Sequence, residues 1–285
     1  DGNNSKIAKN PDISGMRSDT TMIAHIAADR SSAVLVSIPR DTLVDIPECK
    51  MSNGKTSQAA GRTKFNAAFA YGAIAGDNLG DAAACVQQTV EQVTQVRIDG
   101  WVVVDFAGFT DMVNALGGVR MCIDKPMRAP DAKLDIDAGC QKFYGKTALA
   151  FARARYNVGD GSDLQRIERQ QQLMSAILQK AVKINLLTDL PKLYQFAQAG
   201  LASLTTSKTL DSVSSLAGLA FSMRRIPLSK ISFVMAPVVD AGDGANVLLR
   251  SDAQDFFDSL AEDRKLVGVT PRPALGTPTA TPKAP

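Results

Sequence analysis

Residues 17–42 read RSDTTMIAHIAADRSSAVLVSIPRDT, and this stretch decides the fold. TTMIAHIAA (20–28) and AVLVSI (33–38) are apolar and rich in β-formers, while the DRSS between them is turn-like. That pattern predicts an antiparallel hairpin. In a hairpin, the start of one strand and the end of the next lie at the same end of the sheet. Arg17 and Asp19, just before the first strand, should therefore meet Arg40 and Asp41, just after the second. His25, inside the alternating first strand, reads as a packed, satisfied side chain.

Outward from the hairpin, KMSNGKTSQAAGRT has neither helical nor strand period and predicts loop to about Thr63. NAAFAYGAIA and DAAACVQQTVEQV carry helical signals, with Asp81 as the expected N-cap of the second. VRIDGWVVVDF (96–106) reads as the clearest central strand. AGFTDMVNALGG follows as a helix stopped by Gly117 and Gly118, then VRMCID as a strand. KTALAFARAR (146–155) predicts a helix, and after the break NVGDGS a long helix begins at Asp163. Two helices, roughly 188–201 and 209–223, precede a strand at 231–237, the short strand NVLL and a last helix capped by Ser251. Strands that are apolar on both faces and interleaved with helices argue for a sheet covered on each side. No Pro/Gly-rich break divides the chain before residue 265, so one α/β domain is expected over 1–268. The Pro/Thr/Ala-rich residues 269–285 are expected to form a disordered tail.

The bulk numbers narrow the function classes. The chain has 285 residues, 45% hydrophobic and 21% charged, with a net charge of +3. That charge is too mild to argue for nucleic acid, and no helix-turn-helix, zinc-finger or aromatic RNA-binding signature accompanies it. No apolar run approaches a membrane span. The polar opening DGNNSKIAKNPD carries no signal peptide and suggests an excised ectodomain with an anchor upstream. Four cysteines, Cys49, Cys85, Cys122 and Cys140, form no CxxC pair, and the single histidine leaves little for zinc. They allow three disulfide connectivities, or four free thiols. Cys122 ends a strand and Cys140 follows the next loop, so Cys122–Cys140 with Cys49–Cys85 is the expected pairing.

No GxSxG, P-loop, GxGxxG or HExxH string occurs, which weakens acyl-transfer, nucleotide and zinc-hydrolase readings. Basic residues at element ends stand out instead. Arg17 and Arg40 flank the hairpin, Lys64 opens the next helix, and Arg153 and Arg155 close another. Arg166, Arg169 and Gln170 share one face of the long helix. Guanidinium forks match phosphate oxygens and stay charged at any relevant pH. Taken singly, each arginine reads equally well as a solvated surface residue or an ion pair. Converging with Asp19, they fit a diphosphate ester.

Five blocks in order carry a more specific signal: the hairpin segment quoted above, KFNAAFAYG, VDFAGFTDMVNALGGV, GKTALAFARAR and GDGSDLQRIERQQQL. Over roughly residues 15–260 they resemble the LytR–CpsA–Psr family, in an actinobacterial form. The resemblance implies a three-layer α/β/α sandwich with a mixed central sheet enclosing a hydrophobic pocket for a polyprenyl chain. It implies a phosphotransferase that moves a glycopolymer from a polyprenyl-pyrophosphate carrier to a hydroxyl on peptidoglycan or a surface protein. It also implies an extracytoplasmic location behind an N-terminal membrane anchor. Carried over by position, Asp19 helps bind Mg2+, and Arg17, Asp19, Arg40, Arg153 and Arg155 are catalytic. Arg40, Lys64, Arg153, Arg155, Arg166, Arg169 and Gln170 grip the pyrophosphate. One departure stands: the family's Gly-x-Asp strand ahead of the RSDT block has no counterpart in residues 1–15, so the metal set is expected to lack a carboxylate. The rival expectation is a non-catalytic binder of anionic wall polymer or polyprenyl phosphate lipid.

Overall fold

The computed structural model describes residues 16–154 and 163–274. It opens with β1 (Thr21–Ile26) and β2 (Ala33–Ile38), then β3 (Leu43–Ile46) and β4 (Ala60–Lys64). α1 (Ala67–Gly76), α2 (Leu79–Thr94), β5 (Val102–Val104) and α3 (Phe106–Ala115) follow. The middle of the chain holds β6 (Val119–Ile123), β7 (Met127–Ala129), β8 (Leu134–Ile136), β9 (Gly139–Phe143), α4 (Gly145–Arg153) and α5 (Asp163–Lys183). The last part runs through α6 (Leu190–Leu201), β10 (Leu204–Thr206), α7 (Val213–Ser222), β11 (Ile231–Met235), β12 (Val238–Asp240), β13 (Val247–Leu249), α8 (Ala253–Ala261) and β14 (Arg272–Pro273).

The expected hairpin is there: β1 and β2 pair antiparallel, with Thr21 opposite Ile38. β11 adds to β2 in parallel and β14 closes the far edge antiparallel, giving a mixed four-stranded sheet in the order β1-β2-β11-β14. Successive strand residues point to opposite faces, and β2 uses both. Val34, Val36 and Ile38 join a core with Ala68 of α1, Val90 of α2 and Phe256, Phe257 and Leu260 of α8. On the other face, the buried Gln171 of α5 donates Nε2 to Ser37 Oγ (3.1 Å) and to the carbonyl of Val234 (3.2 Å). Helices therefore cover both faces of a mixed sheet, as expected. Phe65, Phe256 and Phe257 are essentially fully buried in the first core. Truncating any one of them to Ala would cost about 3–5 kcal/mol.

Several expectations are corrected. Residues 96–106 do not make a central strand: only Val102–Val104 is extended, it pairs with β10 alone, and Val102 and Val104 are exposed. The apolar run marks a peripheral ribbon, and the central strand is β2. The loop predicted to Thr63 contains β3 and β4, a bulged pair whose polar residues mask the period. Asn78, not Asp81, caps α2, accepting the Asp81 N–H on its side chain. Asp81 is buried and faces back to hold Ser52 N and Oγ, each at 2.8 Å. A Cβ at Gly76 would lie 2.1 Å from Asp81 Cβ, so only glycine permits this closeness. α8 is capped at Asp252, which Arg250 holds, rather than at Ser251. Residues up to 274, placed in the expected tail, pack on the domain instead. Pro273 pairs with Ser232, Ala274 is fully buried, and its carbonyl accepts from Ser175 and Gln179. His25 is satisfied as expected: its Nε2 lies 2.6 Å from Asp263 Oδ1, while Asp263 Oδ2 accepts the Ala28 N–H.

A second core joins β6, β8, α4 and α5 through Val119, Met121, Leu134, Phe151 and Leu173. β6 and β9 form its antiparallel ribbon, in which Cys122 stands directly opposite Cys140. Both expected disulfides are present, Cys122–Cys140 and Cys49–Cys85. The first lies on exposed positions, whereas both cysteines of the second are completely buried. Limited dithiothreitol followed by alkylation and mass analysis should label Cys122 and Cys140 well before Cys49 and Cys85. Replacing the pairs by serine should cost about 3 and about 4 kcal/mol respectively, read from denaturant midpoints, since the second closes the longer loop.

Candidate functional site

The site begins with one turn. After β2, Thr42 is buried and returns both its N–H (3.1 Å) and its hydroxyl (2.7 Å) to the carbonyl of Pro39. That closure throws Arg40 and Asp41 out at the end of the strand. The carbonyls of Arg40 and Thr42 then accept the N–H groups of Asn66 and Phe65 (3.1 and 2.8 Å). The end of β4 is thereby fixed beside the turn. Lys64 arrives as the last residue of β4, not as the opening of a helix as predicted. The β1–β2 register brings Asp19 up from the other side.

The result is a line of alternating charge. Arg40 Nη1 lies 2.8 Å from Asp19 Oδ1, and its Nε lies 3.2 Å from Asp41 Oδ2. Lys64 Nζ meets the other Asp41 oxygen at 2.7 Å. Burial alone would push the Asp41 carboxyl up, but the Lys64 hydrogen bond and the charges of Arg40 and Lys64 outweigh it. Asp41 is held below the ordinary 3.8. Asp19, by contrast, is about half exposed.

α5 supplies the second wall. Arg166 Nη2 donates to the carbonyl of Asp19 (3.2 Å) and Arg169 Nη2 to that of Ala154 (2.5 Å). Gln170 Nε2 reaches the carbonyl of Ala152 (3.3 Å). Arg166 and Arg169 are only 4% and 7% exposed. Charges so buried need partners to remain ionised, and these main-chain carbonyls are among them. Arg153, at the end of α4, lies over the Phe106 ring, 4.4 Å from its centroid. Arg17 is exposed and donates to the carbonyl of Met16.

Of the predicted residues, Asp19, Arg40, Lys64 and Arg166 are thus brought into direct contact or share one partner. Arg169 and Gln170 clasp the end of α4 next to Arg153. Arg155 lies outside the described residues, as do residues 1–15, where the Gly-x-Asp strand was sought. Sequence reasoning undervalued two residues. Asp41 partners Arg40 and also links it to Lys64. Gln171 is the buried tie between α5 and the sheet; the signal for it is its place four positions after the apolar Ile167, on one helical face. Among the described residues no three His, Cys, Asp or Glu side chains come together as a metal cluster.

This architecture and sequence have close counterparts. Corynebacterium glutamicum has a probable cell wall biosynthesis protein, LcpB, that is 36% identical over 213 residues, covering 75% of this chain and 46% of that protein. In Enterococcus faecalis the polyisoprenyl-teichoic acid–peptidoglycan teichoic acid transferase TagU is 32% identical over 169 residues, covering 59% and 48%. The chain spans about half the length of the curated relatives it matches. Among solved structures, the LytR-Csp2A-Psr enzyme from Actinomyces oris superposes with a TM-score of 0.65 over 90% of this chain and 89% of that one. At 17% identity this likeness concerns the fold alone. The LytR_cpsA_psr family model matches residues 7–264, nearly the whole described structure, and the chain belongs to that family.

Proposed function

We propose that the chain is a phosphotransferase domain that moves a glycopolymer from a polyprenyl-pyrophosphate carrier to a hydroxyl of peptidoglycan or of a cell-wall-linked surface glycoprotein, releasing polyprenyl phosphate at the extracytoplasmic membrane face. The carrying observation is the charge line Asp19–Arg40–Asp41–Lys64 with Arg166 donating beside it. The names of its relatives, one a teichoic acid transferase, point the same way.

In this reading the acceptor oxygen attacks the sugar-side phosphorus, and the bond from that phosphorus to the bridging oxygen breaks. The pyrophosphate charge is met by Arg40, Lys64, Arg153, Arg155, Arg166 and Arg169, so polyprenyl phosphate leaves without protonation. Phosphoryl transfer depends chiefly on positioning and charge stabilisation, and the site offers no activated protein nucleophile because none is required. Asp41 keeps Arg40 and Lys64 aimed. Gln170 secures α5 against the end of α4.

Mg2+ fits the donor set: hard carboxylate oxygens suit it, and it is commonly held by one or two carboxylates with substrate phosphates completing the shell. Asp19, half exposed beside Arg40, would hold it, and the ion would neutralise phosphate oxygens when bound. Asp19 accepts the proton of the acceptor hydroxyl or, where it holds the ion, that proton passes to solvent. The prenyl chain needs apolar space elsewhere than the first core, where the enclosed void lined by Ile38, Val44 and Phe65 is about 10 Å3. α7, apolar yet without a single buried residue, is the better candidate wall.

With a synthetic polyprenyl-pyrophosphate donor, transfer should require Mg2+ and fall about 10²–10³-fold in Arg40→Ala with the fold intact by circular dichroism. Donor binding that survives EDTA with no polyprenyl phosphate released under any condition would instead identify a non-catalytic binder. A separate check concerns stability against acid. Because the Asp41 value is depressed in the folded state, its contribution is complete above the unfolded value and disappears as the pH falls through the folded one. The melting-temperature gap between wild type and Asp41→Asn should therefore be full at pH 7 and close below pH 3.8.

A further inference from the structure

Part of this protein's positive charge lies away from its site. Residues 180–230 contain seven Lys and Arg, namely Lys180, Lys183, Lys192, Lys208, Arg224, Arg225 and Lys230, against only Asp189 and Asp211. Since the whole chain nets +3, everything outside this segment is net negative. Yet the segment contains no residue of the phosphate site. The basic excess of this segment therefore needs another explanation than pyrophosphate binding.

The same lobe exposes apolar surface. At the corner where α5 ends and α6 begins, Val182, Leu190 and Tyr194 are 42%, 54% and 51% exposed. Leu190 and Tyr194 are four apart on α6 and share one face. The two helix ends are held together, since Lys192 Nζ on α6 reaches the carbonyl of Ile184 just past α5 (3.3 Å). Lys183, also exposed, stands beside Val182. Lys192 is paired with Asp189 (3.2 Å), the one acidic residue between positions 180 and 194. Beneath the corner, Leu186 and Leu193 are buried with Leu116, so the exposed set is not a failure of packing.

Lysines around protruding aliphatic and tyrosine side chains match one kind of partner. An anionic bilayer takes the apolar tips into its headgroup boundary while lysine stems lie along the surface with their charges at the lipid phosphates. A soluble polyanion would use the charges but leave Leu190 and Tyr194 in water. We infer that the α5–α6 corner is a peripheral docking surface for an anionic lipid bilayer, independent of whether the site catalyses phosphotransfer. The lobe's positive charge draws the protein in, and Val182, Leu190 and Tyr194 give the contact a short-range apolar component.

The test is co-sedimentation of the 285-residue chain with vesicles of phosphatidylcholine alone or with one third phosphatidylglycerol. Binding should require the anionic lipid and weaken as salt rises. Each of Lys180→Glu and Lys183→Glu should weaken it about fivefold or more, and Leu190→Ser/Tyr194→Ser should weaken it at every salt concentration. Arg97→Glu, an exposed cation far along the chain from this corner, should leave binding unchanged. The substituted side chains are exposed or half-exposed, and unaltered melting temperatures would show that the variants fold. The inference is overturned by absence of binding to anionic vesicles, or by binding that survives the Leu190/Tyr194 change. It is equally overturned if Arg97→Glu weakens binding as much as the lysine variants, if the corner binds a soluble polyglycerol phosphate but not vesicles, or if its only effect is self-association.

Discussion

Everything in the site depends on Arg40 being held between two carboxylates. An arginine at the end of a strand has a long side chain with many rotamers, and fixing it is entropically costly. Here the fork is divided: Nη1 goes to Asp19, across the β1–β2 hairpin, and Nε to Asp41, its own neighbour. The first contact exists only because the hairpin register places the start of β1 beside the end of β2. The second exists only because Thr42 closes the turn onto Pro39. A slip of one residue in the hairpin would turn its side chains to the opposite face and separate Asp19 from Arg40. The core packing that fixes this register, Ile23, Val36 and Ile38 against α1, α2 and α8, is therefore also what aligns the charges.

The two walls of the site stabilise their cations differently. Arg40 and Lys64 sit against carboxylates, at the sheet end, where the groups are partly open. Arg166 and Arg169, almost fully buried, sit against carbonyl oxygens. α5 brings the guanidinium charge of Arg166 and Arg169 to the site, and the hairpin end brings the carboxylates of Asp19 and Asp41. Gln171 matters for this division because it fixes α5 to Ser37 and Val234, on the two strands that carry the sheet.

The parts of this arrangement that were legible in the sequence were those encoded by local pattern. Alternation and a turn predicted β1 and β2; helical spacing put Arg166, Arg169 and Gln170 on one face; the placement of Asp19 and Arg40 followed from hairpin geometry alone. What escaped were features set by distant partners. β3 is only four residues long, β4 is mostly polar and their pairing is bulged, so no period shows. VRIDGWVVVDF looked central because it is apolar, but exposure is decided by what packs on a strand, and little packs on β5. Asp81 looked like a cap because it precedes a helix, while its real role is to bind Ser52, twenty-nine residues earlier. Asp41 shows the same limit at the site, since Lys64, which makes it a hub, is brought in by the turn hydrogen bonds to Asn66 and Phe65.

Net charge is a poor guide to such a molecule. A value of +3 suggests indifference, yet it is the sum of a basic lobe at residues 180–230 and a mildly acidic remainder. The cations proposed to bind phosphate belong to that acidic remainder, which is possible because they act at contact distance and are oriented by specific partners. Long-range attraction follows summed charge and decays within a Debye length, about 8–10 Å at ordinary ionic strength. The two groups of cations therefore answer to different physics: the lobe governs which large anionic surface the protein approaches, and the site governs which small anion it holds once there. Moving a lysine from the lobe to the site would leave the composition unchanged and alter both functions.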